Sequence, residues 1–214
     1  EQIKEYVKGD DYRTINWKAS ARRHELMVNV YQDERSQQIY NVIDKGRVMQ
    51  QAFRGMTLLD YAINASLVLS YVAMRKEDKA GLVTFDEHFD TFVPASRQPG
   101  YMQTLLENLY SQQTTFGETD FSALCVHLNK HVSKRSLLVL YTNFSSIGSM
   151  NRQLAYLKQL NHRHRLLVVF FEDADLKEYI AQPAKDTEGY YRHVIAEKFA
   201  YEKRLIVSTL KQHG

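Results

Sequence analysis

A short apolar run that ends at a carboxylate, residues 39–44, constrains the fold of this chain more than any other stretch. It reads Ile-Tyr-Asn-Val-Ile-Asp, and its β-branched residues are typical of a strand buried on both faces at the centre of a parallel sheet. A turn containing Gly46 follows directly. Because ligands of open α/β sheets bind outside the carboxyl ends of the strands, this pattern predicts that Asp44 lies at a functional edge.

Strands and helices alternate along the remaining sequence. Further strands are predicted at residues 80–85, 88–93, 137–141 and 166–171. Helices are predicted from caps at Thr57, Thr119 or Asp120, and Ser149, from a start at Pro99, and over residues 176–180 and 187–212. This alternation predicts a three-layer, doubly wound and mostly parallel α/β sheet. The short link Asp86-Glu87 makes the 88–93 strand antiparallel, so we expect the order 3-2-1-4-5, counted from residues 39–44.

The composition excludes several function classes. Hydrophobic residues make up 44% and charged residues 25% of the 214 positions, as in ordinary globular proteins. The formal charge of +3 is too small to indicate nucleic-acid binding. No apolar run approaches the ~18 residues of a membrane span, so we expect no membrane contact by this segment.

The first 25 residues are polar and contain the only tryptophan. A turn is predicted at Gly9-Asp10, with Arg13 close enough to Asp10 for pairing. We expect Trp17 to be at least half buried and to anchor this segment on the α/β body.

An alternating stretch at residues 26–31 predicts a lead-in strand. The charged run at residues 33–36 then indicates a boundary, which separates a segment of residues 1–36 from a domain of residues 37–214.

Residues 5–22 resemble the signature E-Y-x-x-G-D-x-x-R-x-I-x-W-x-x-S-A-R of the bacterial family called domain of unknown function 58. The matching residues are Glu5, Tyr6, Gly9, Asp10, Arg13, Ile15, Trp17, Ser20, Ala21 and Arg22. Within this signature, Asp10, Arg13, Trp17 and Arg22 are our candidates for a structural or interaction role. Its mixture of basic and aromatic residues is also found in nucleic-acid binders, but we favour a structural hook.

The chain from residue 37 onward is similar to the von Willebrand factor A-like domain of that family. The resemblance implies a further strand after the end of this chain, so that the domain is truncated and the 166–171 strand is an open edge. It also implies a larger protein that is anchored in the bacterial inner membrane by segments absent here and exposes this domain on the cytoplasmic face. Family genes commonly neighbour those of MoxR-type AAA+ ATPases.

Von Willebrand A-type domains often bind Mg²⁺ through an Asp-x-Ser-x-Ser turn, a Thr in a second loop and an Asp after the fourth strand. Here Asp44 and Thr119 match, whereas Gly46 and Val48 replace the serines and Asn143 replaces the Asp. The resemblance therefore implies a degenerate metal site, and we expect neither Mg²⁺ nor another cofactor. The alternative role of Asp44 is to accept hydrogen bonds from loop backbone N–H groups. Changing the three replaced positions to Ser, Ser and Asp is expected to restore binding.

The resemblance implies a non-enzymatic protein-interaction module that acts with a MoxR-type AAA+ ATPase in assembly or maturation. The alternative is a Mg²⁺-dependent adhesion-type domain, in which the metal bridges to a partner carboxylate. A hydrolase is a third class, but the G-x-S-x-G elbow is missing, as are G-x-G-x-x-G and P-loop motifs.

Overall fold

The structure, a computed structural model, describes residues 2–30, 36–115, 117–171, 174–183 and 186–213. The chain divides into two compact units, residues 1–36 and 37–214. No helix among the described residues has the length and apolar character that a membrane span requires.

The larger unit alternates strands and helices. Its strands are β3 (Gln38–Asp44), β4 (Ala52–Phe53), β5 (Met56–Thr57), β6 (Lys79–Phe85), β7 (Phe89–Ser96), β8 (Leu137–Tyr141) and β9 (Arg165–Val169). Its helices are α2 (Leu58–Arg75), α3 (Tyr101–Tyr110), α4 (Phe121–His131), α5 (Ile147–Arg163), α6 (Ala174–Ala181) and α7 (Thr187–Gln212). The smaller unit supplies β1 (Gln2–Glu5), α1 (Trp17–Arg23) and β2 (Met27–Val30).

The main sheet has five strands in the order β7-β6-β3-β8-β9. All neighbours are parallel except β6 and β7, which are antiparallel. The predicted order 3-2-1-4-5 and the antiparallel edge strand are therefore confirmed. Strand β3, which is buried from its second residue to its last, occupies the centre, as its apolar sequence predicts.

Helices cover both faces of this sheet and form two separate apolar cores. One core contains side chains of α2 and α3, and the other contains side chains of α4, α5 and α7. The polar Asn41 lies inside β3 and is 1% exposed. It donates to Ser70 Oγ at 2.8 Å and accepts from the hydroxyl of Tyr141 at 3.2 Å. These bonds satisfy a buried amide that would otherwise destabilise the centre of the sheet.

A tyrosine from the central strand reaches the antiparallel edge strand. The hydroxyl of Tyr40 accepts a hydrogen bond from the backbone N–H of Ala95 in β7 at 3.2 Å. Its ring crosses Gly81 of β6, where a Cβ atom would lie 2.6 Å from Tyr40 Cε1. The β6–β7 pairing shifts register at this point, between Ala80 and Leu82. The side chain of Tyr40 thus supplies an acceptor at the irregularity in the ladder.

Two helix starts follow the expected caps and two do not. Helix α3 begins at Tyr101 after an N-cap at Gly100, and not at Pro99. Thr57 caps α2 in a capping box with Asp60, as predicted. Asp120 caps α4. Helix α5 begins one turn earlier than predicted, because Ser146 is the N-cap and Ser149 is the third residue of its capping box.

A small hairpin between β3 and α2 was not predicted. Strands β4 and β5 pair antiparallel, and their turn contains Arg54 and Gly55 at φ values of 48° and 84°. Two-residue strands carry no readable periodicity, which explains the omission. The segment Arg47–Gln50, just before the hairpin, is a 3₁₀ turn.

Strand β9 forms the edge opposite β7. The N–H of Arg165 and the C=O of Val169 bond to the β8 side. Strand alternation therefore directs the backbone groups of Leu166 and Val168 outward. Leu166 N–H bonds to Asn161 Oδ1 at 3.1 Å, and no described residue extends the sheet beyond β9.

In the smaller unit, β1 and β2 form an antiparallel pair, and α1 follows a 3₁₀ turn at Tyr12–Thr14. Asp10 pairs with Lys4 at 2.8 Å rather than with Arg13, so that expected pairing is wrong. Trp17 is 71% exposed, and the expectation that it is at least half buried is also wrong. Arg22 is exposed on the last turn of α1. The packing of residues 1–36 on the main domain stays a prediction.

Candidate functional site

Asp44 ends β3 as a buried carboxylate that is 1% exposed. Its Oδ1 accepts from the Thr119 hydroxyl at 2.7 Å and from the Gly46 N–H at 2.8 Å. Its Oδ2 accepts from the Thr142 hydroxyl at 2.6 Å. The donors therefore come from the turn after β3, the loop before α4 and the end of β8. Only one of the three donors is a backbone N–H group. The carboxylate of Asp44 therefore accepts mainly from side-chain hydroxyls, whereas backbone N–H donors were expected.

The surroundings of Asp44 shift its protonation. Burial is the largest influence and raises the pKa of this carboxyl above its ordinary value. The hydrogen bonds from Thr142, Thr119 and Gly46 act in the opposite direction, and the charge of Asp86 adds to the rise. Because the net pKa shift is upward, the site makes ionisation of Asp44 less favourable.

Gly46 leaves room for the close approach of Thr119. A Cβ atom at residue 46 would lie 2.1 Å from Thr119 Oγ1 and 3.1 Å from Asp44 Oδ1. A serine there would therefore displace the hydroxyl of Thr119 from the carboxylate. This contact is a physical reason to expect that the triple change at positions 46, 48 and 143 does not restore a metal site.

Asn143 follows β8 and is joined to a cation that sequence reasoning missed. Its Oδ1 accepts from Lys203 Nζ at 2.5 Å and from the N–H of Phe144 at 3.0 Å. Lys203 belongs to α7, and its Nζ lies 5.6 Å from the ring centroid of Phe170. Asn143 and Lys203 are 60 positions apart in the sequence. No local sequence signal distinguishes Lys203 from the other cations of this helix.

The three predicted site residues Asp44, Thr119 and Asn143 line one cavity of about 110 Å³. Their donor set does not suit Mg²⁺, which requires a nearly octahedral shell of oxygen ligands. Both oxygens of Asp44 accept hydrogen bonds, and Gly46 and Val48 offer no side-chain oxygen. The ammonium that bonds Asn143 would also repel a divalent cation. Among the described residues, no group of three or more His, Cys, Asp or Glu side chains is placed to hold a metal.

A second charged cluster supports the same edge of the sheet. Lys45 is 7% exposed, and its Nζ lies 2.7 Å from Asp90 Oδ2 and 3.6 Å from Asp86 Oδ2. The hydrogen bond from Lys45 is the main cause that lowers the pKa of Asp90, and the Thr84 hydroxyl adds to it at 3.1 Å. This cluster joins the end of β3 to β6 and β7. The sequence pattern predicts only a turn at Asp86 and gives no sign of its proximity to Lys45.

A groove with a volume of about 590 Å³ opens at this edge beside Asn143. Its apolar lining includes Phe53, Leu58, Phe171, Leu176, Phe199 and Ile206. Arg47, Lys203 and Glu202 contribute charge to the same lining. A second cavity of about 570 Å³ shares Phe171, Leu176 and Lys203 with the first.

Comparison with known proteins assigns residues 2–179 to the family described as protein of unknown function DUF58. Among solved structures, the SpRpn10 VWA domain is 12% identical with a TM-score of 0.46, over 66% of this chain and 79% of that one. The hypothetical protein BatB from Bacteroides thetaiotaomicron is 13% identical with a TM-score of 0.47, over 62% and 65%. An aerotolerance-related membrane protein from Bacteroides fragilis is 15% identical with a TM-score of 0.48, over 72% and 79%. None of the curated proteins matches the chain.

Proposed function

This chain belongs to the DUF58 family of proteins of unknown function, and from that premise we propose that it is a non-enzymatic protein-interaction module. The observation that supports this most directly is the largely apolar groove at the carboxyl edge of the sheet. Ligands of α/β sheets bind at this edge, and exposed apolar surface favours a partner that can cover it.

The chemistry of Asp44 supports binding rather than catalysis. A general base must reach the proton that it removes. Asp44 is 1% exposed, and its oxygens are held by Thr119, Thr142 and Gly46. Its contacts suit a structural role, in which one carboxylate joins three loops and keeps the edge rigid.

The finer proposal concerns the partner. We infer that the module acts with a MoxR-type AAA+ ATPase in assembly or maturation, at the cytoplasmic face of the inner membrane. The resemblance of residues 5–22 to the family signature supports this inference. The partner would contact the groove, while Asp10, Arg13, Trp17 and Arg22 would serve the structural role of the signature.

Site-specific photocrosslinking tests the module. A benzophenone amino acid replaces Phe199, which is 50% exposed in the groove, in the bacterium that encodes the chain. The matched control carries it at Val126, which is 63% exposed on α4. We expect a discrete crosslinked protein from position 199 and none of the same mass from position 126. Identical crosslinking from both positions would contradict the proposal.

Mass spectrometry of the crosslinked protein tests the finer proposal separately. An AAA+ ATPase is expected, and its hydrolysis rate should change when purified chain is added. Another partner would refute the ATPase assignment and leave the interaction module intact. Chelation with EDTA is expected to leave the crosslink unchanged; its loss would favour the Mg²⁺-dependent adhesion alternative.

A further inference from the structure

We propose that the chain forms a symmetric dimer in which helix α7 pairs antiparallel with α7 of a second copy. This helix is the longest of those described, with 26 residues from Thr187 to Gln212. The side of α7 that includes Ala196 and Ile206 is buried in the domain. The outward side carries the surface that the dimer covers.

The outward side of α7 carries a seam of five exposed residues. They are Tyr191, Val194, Lys198, Tyr201 and Leu205, and the four apolar ones are 40–70% exposed. Their spacing alternates between three and four residues, which is the spacing of contact positions in a coiled coil. None of the five lines the groove or its neighbouring cavity. The seam is therefore a separate surface, and its spacing fits another helix.

The charges beside the seam fit a second copy in the antiparallel orientation. Glu197 and Arg204 lie on the same flank of the seam, two turns apart, and both are exposed. In an antiparallel pair centred between Lys198 and Tyr201, Glu197 faces Arg204 of the second copy. The two-fold symmetry repeats this ion pair. Lys198 then faces the ring of Tyr201 of the second copy, which attracts an ammonium group.

A parallel pair would bring like charges together. Lys198 would face Lys198 of the second copy, and Glu197 would lie beside Glu202 of the second copy. Both contacts are repulsive. The charges of α7 therefore select the antiparallel arrangement over the parallel one.

The charged residues of this face are available for contacts with a second copy. Among the residues that the structure describes, none forms an ion pair with Glu197, Lys198 or Arg204. Arg204 Nε donates to the backbone oxygen of Ala200 in its own helix at 3.4 Å. The remaining N–H groups of the guanidinium can bind a carboxylate.

Sedimentation equilibrium tests the dimer. We expect a dimer with Kd on the order of 1 µM. It should persist in Leu167→Lys, because the edge of β9 is not part of it. Larger species can form through that edge, and Leu167→Lys should remove them. A monomer at about 20 µM would overturn the proposal.

Charge reversal tests the pairing of Glu197 with Arg204. Glu197→Arg and Arg204→Glu should each raise the Kd about tenfold, because each change brings like charges together twice. The combined variant restores opposite charges, and its Kd should return to within about threefold of that of the unmodified chain. Thermal unfolding shows that the variants are folded.

The matched control for charge is Arg152→Glu, at an exposed position on α5, which should leave the Kd unchanged. An unchanged Kd in both single reversals would overturn the proposal. So would a combined variant that dimerises as weakly as the single ones.

Crosslinking of single cysteines tests the orientation. The only natural cysteine, Cys125, is buried. A short bismaleimide should join two copies of Lys198→Cys, which lies near the two-fold axis. It should not join two copies of Ser208→Cys, because antiparallel helices hold them about 25 Å apart. Crosslinking at both positions would indicate a parallel pair, and crosslinking at neither would exclude the seam; either result overturns the proposal.

The dimer and the proposed interaction function can fail separately. If the unmodified chain gives no specific crosslink from position 199, the interaction function fails, and sedimentation still decides whether α7 pairs. If the chain is a monomer, the dimer is refuted, and the crosslink from position 199 still decides whether the groove binds a partner.

Discussion

Thr119 donates a hydrogen bond from its hydroxyl to Oδ1 of Asp44 at 2.7 Å, although the two residues lie 75 positions apart. The bond closes the loop before α4 onto the end of the central strand. Thr142 does the same for the loop after β8, at 2.6 Å. In a metal-dependent domain of this fold, a bound metal would connect these loops. Here, hydrogen bonds to one buried carboxylate connect them.

Addition of magnesium should leave thermal stability unchanged. A site saturated 100-fold above its Kd would stabilise the fold by about 2.7 kcal/mol, or roughly 5–10 °C for a chain of this size. Because the donor set at Asp44 does not suit Mg²⁺, we expect essentially no shift between EDTA and about 5 mM MgCl₂. The measurement is differential scanning fluorimetry. A magnesium-dependent rise that Asp44→Ala abolishes would refute this expectation.

The combined change Gly46→Ser, Val48→Ser and Asn143→Asp should not create a magnesium site. The serine at position 46 would collide with Thr119, and a carboxylate at position 143 would pair with Lys203. We expect a lower melting temperature than that of the unmodified chain and no response to Mg²⁺. A magnesium-dependent rise in this variant, measured in the same fluorimetry series, would show that the loops can rearrange.

Asp44→Ala should lower the free energy of unfolding by about 2–4 kcal/mol, because it leaves buried donors without an acceptor. Asp44→Asn should lower it less, since its amide can donate to Thr142 and its oxygen can still accept from Thr119 and Gly46. Urea unfolding at neutral pH measures both. Equal losses would contradict the hydrogen-bond role of the carboxylate.

The difference in the free energy of unfolding between the unmodified chain and Asp44→Asn should also depend on pH. Burial raises the pKa of Asp44 in the folded state, so its contribution to stability is present in full below the unfolded value near 4. That contribution is lost as the pH rises through the folded pKa. The free energy of unfolding of the unmodified chain should therefore fall relative to Asp44→Asn on going from acidic to neutral pH. Glu197→Gln, on an exposed part of α7, is the control and should show no such trend.

His164 should make the fold sensitive to mild acid. It is 0% exposed, its Nδ1 accepts from the N–H of Ser136 at 3.4 Å, and its Nε2 has no partner among the described residues. Burial lowers its pKa, and the charges of Arg163 and Arg135 add to this shift. The unfolded chain therefore takes up this proton first, and stability is lost as the pH falls below about 6.5.

Urea unfolding between about pH 7 and pH 5.5 tests this role, because the interval spans the ordinary pKa of histidine. His164→Leu should lose less stability over that interval than the unmodified chain. The exposed neighbour offers a matched control, and His162→Leu should keep the full acid sensitivity. An identical decline in all three proteins would assign the acid sensitivity to other groups.

The outer edge of β9 should promote self-association. Outward backbone groups and a side chain at Leu167 that is 50% exposed form an edge to which another strand can pair. We expect sedimentation to show concentration-dependent association, which Leu167→Lys should suppress. Val126→Lys introduces the same charge at an exposed apolar residue on α4 and should leave association unchanged. A monomer at all concentrations would contradict the expectation.

The sheet could be predicted because its determinants are local. The β-branched run before Asp44 marks the central strand, and the short link at Asp86 permits only an antiparallel neighbour. Asp44, Thr119 and Asn143 could be placed at one site because the resemblance supplied their loops. Parallel strands then bring those loops to a single edge.

The charged contacts of the site could not be predicted, because they join residues distant in sequence. Lys203 reaches Asn143 from α7, and Lys45 bonds to Asp90 across 45 positions. Neither pair leaves a periodic pattern, and each cation resembles an ordinary surface residue. The burial expected for Trp17 failed for a related reason, since the presence of a large aromatic residue does not specify what covers it.

The contact between Tyr40 and Gly81 implies a rule of covariation for sequences with this architecture. The ring at position 40 occupies the space that a Cβ at position 81 would need, 2.6 Å from the nearest ring atom. A side chain at position 81 is therefore expected together with a smaller residue at position 40 and a small shift of the Ala95 backbone, whose nitrogen would lie 3.0 Å from the new Cβ. The substitution at position 40 would also remove the acceptor for the N–H of Ala95. One backbone hydrogen bond of the edge strand thus depends on a residue two strands away, in the middle of the sheet.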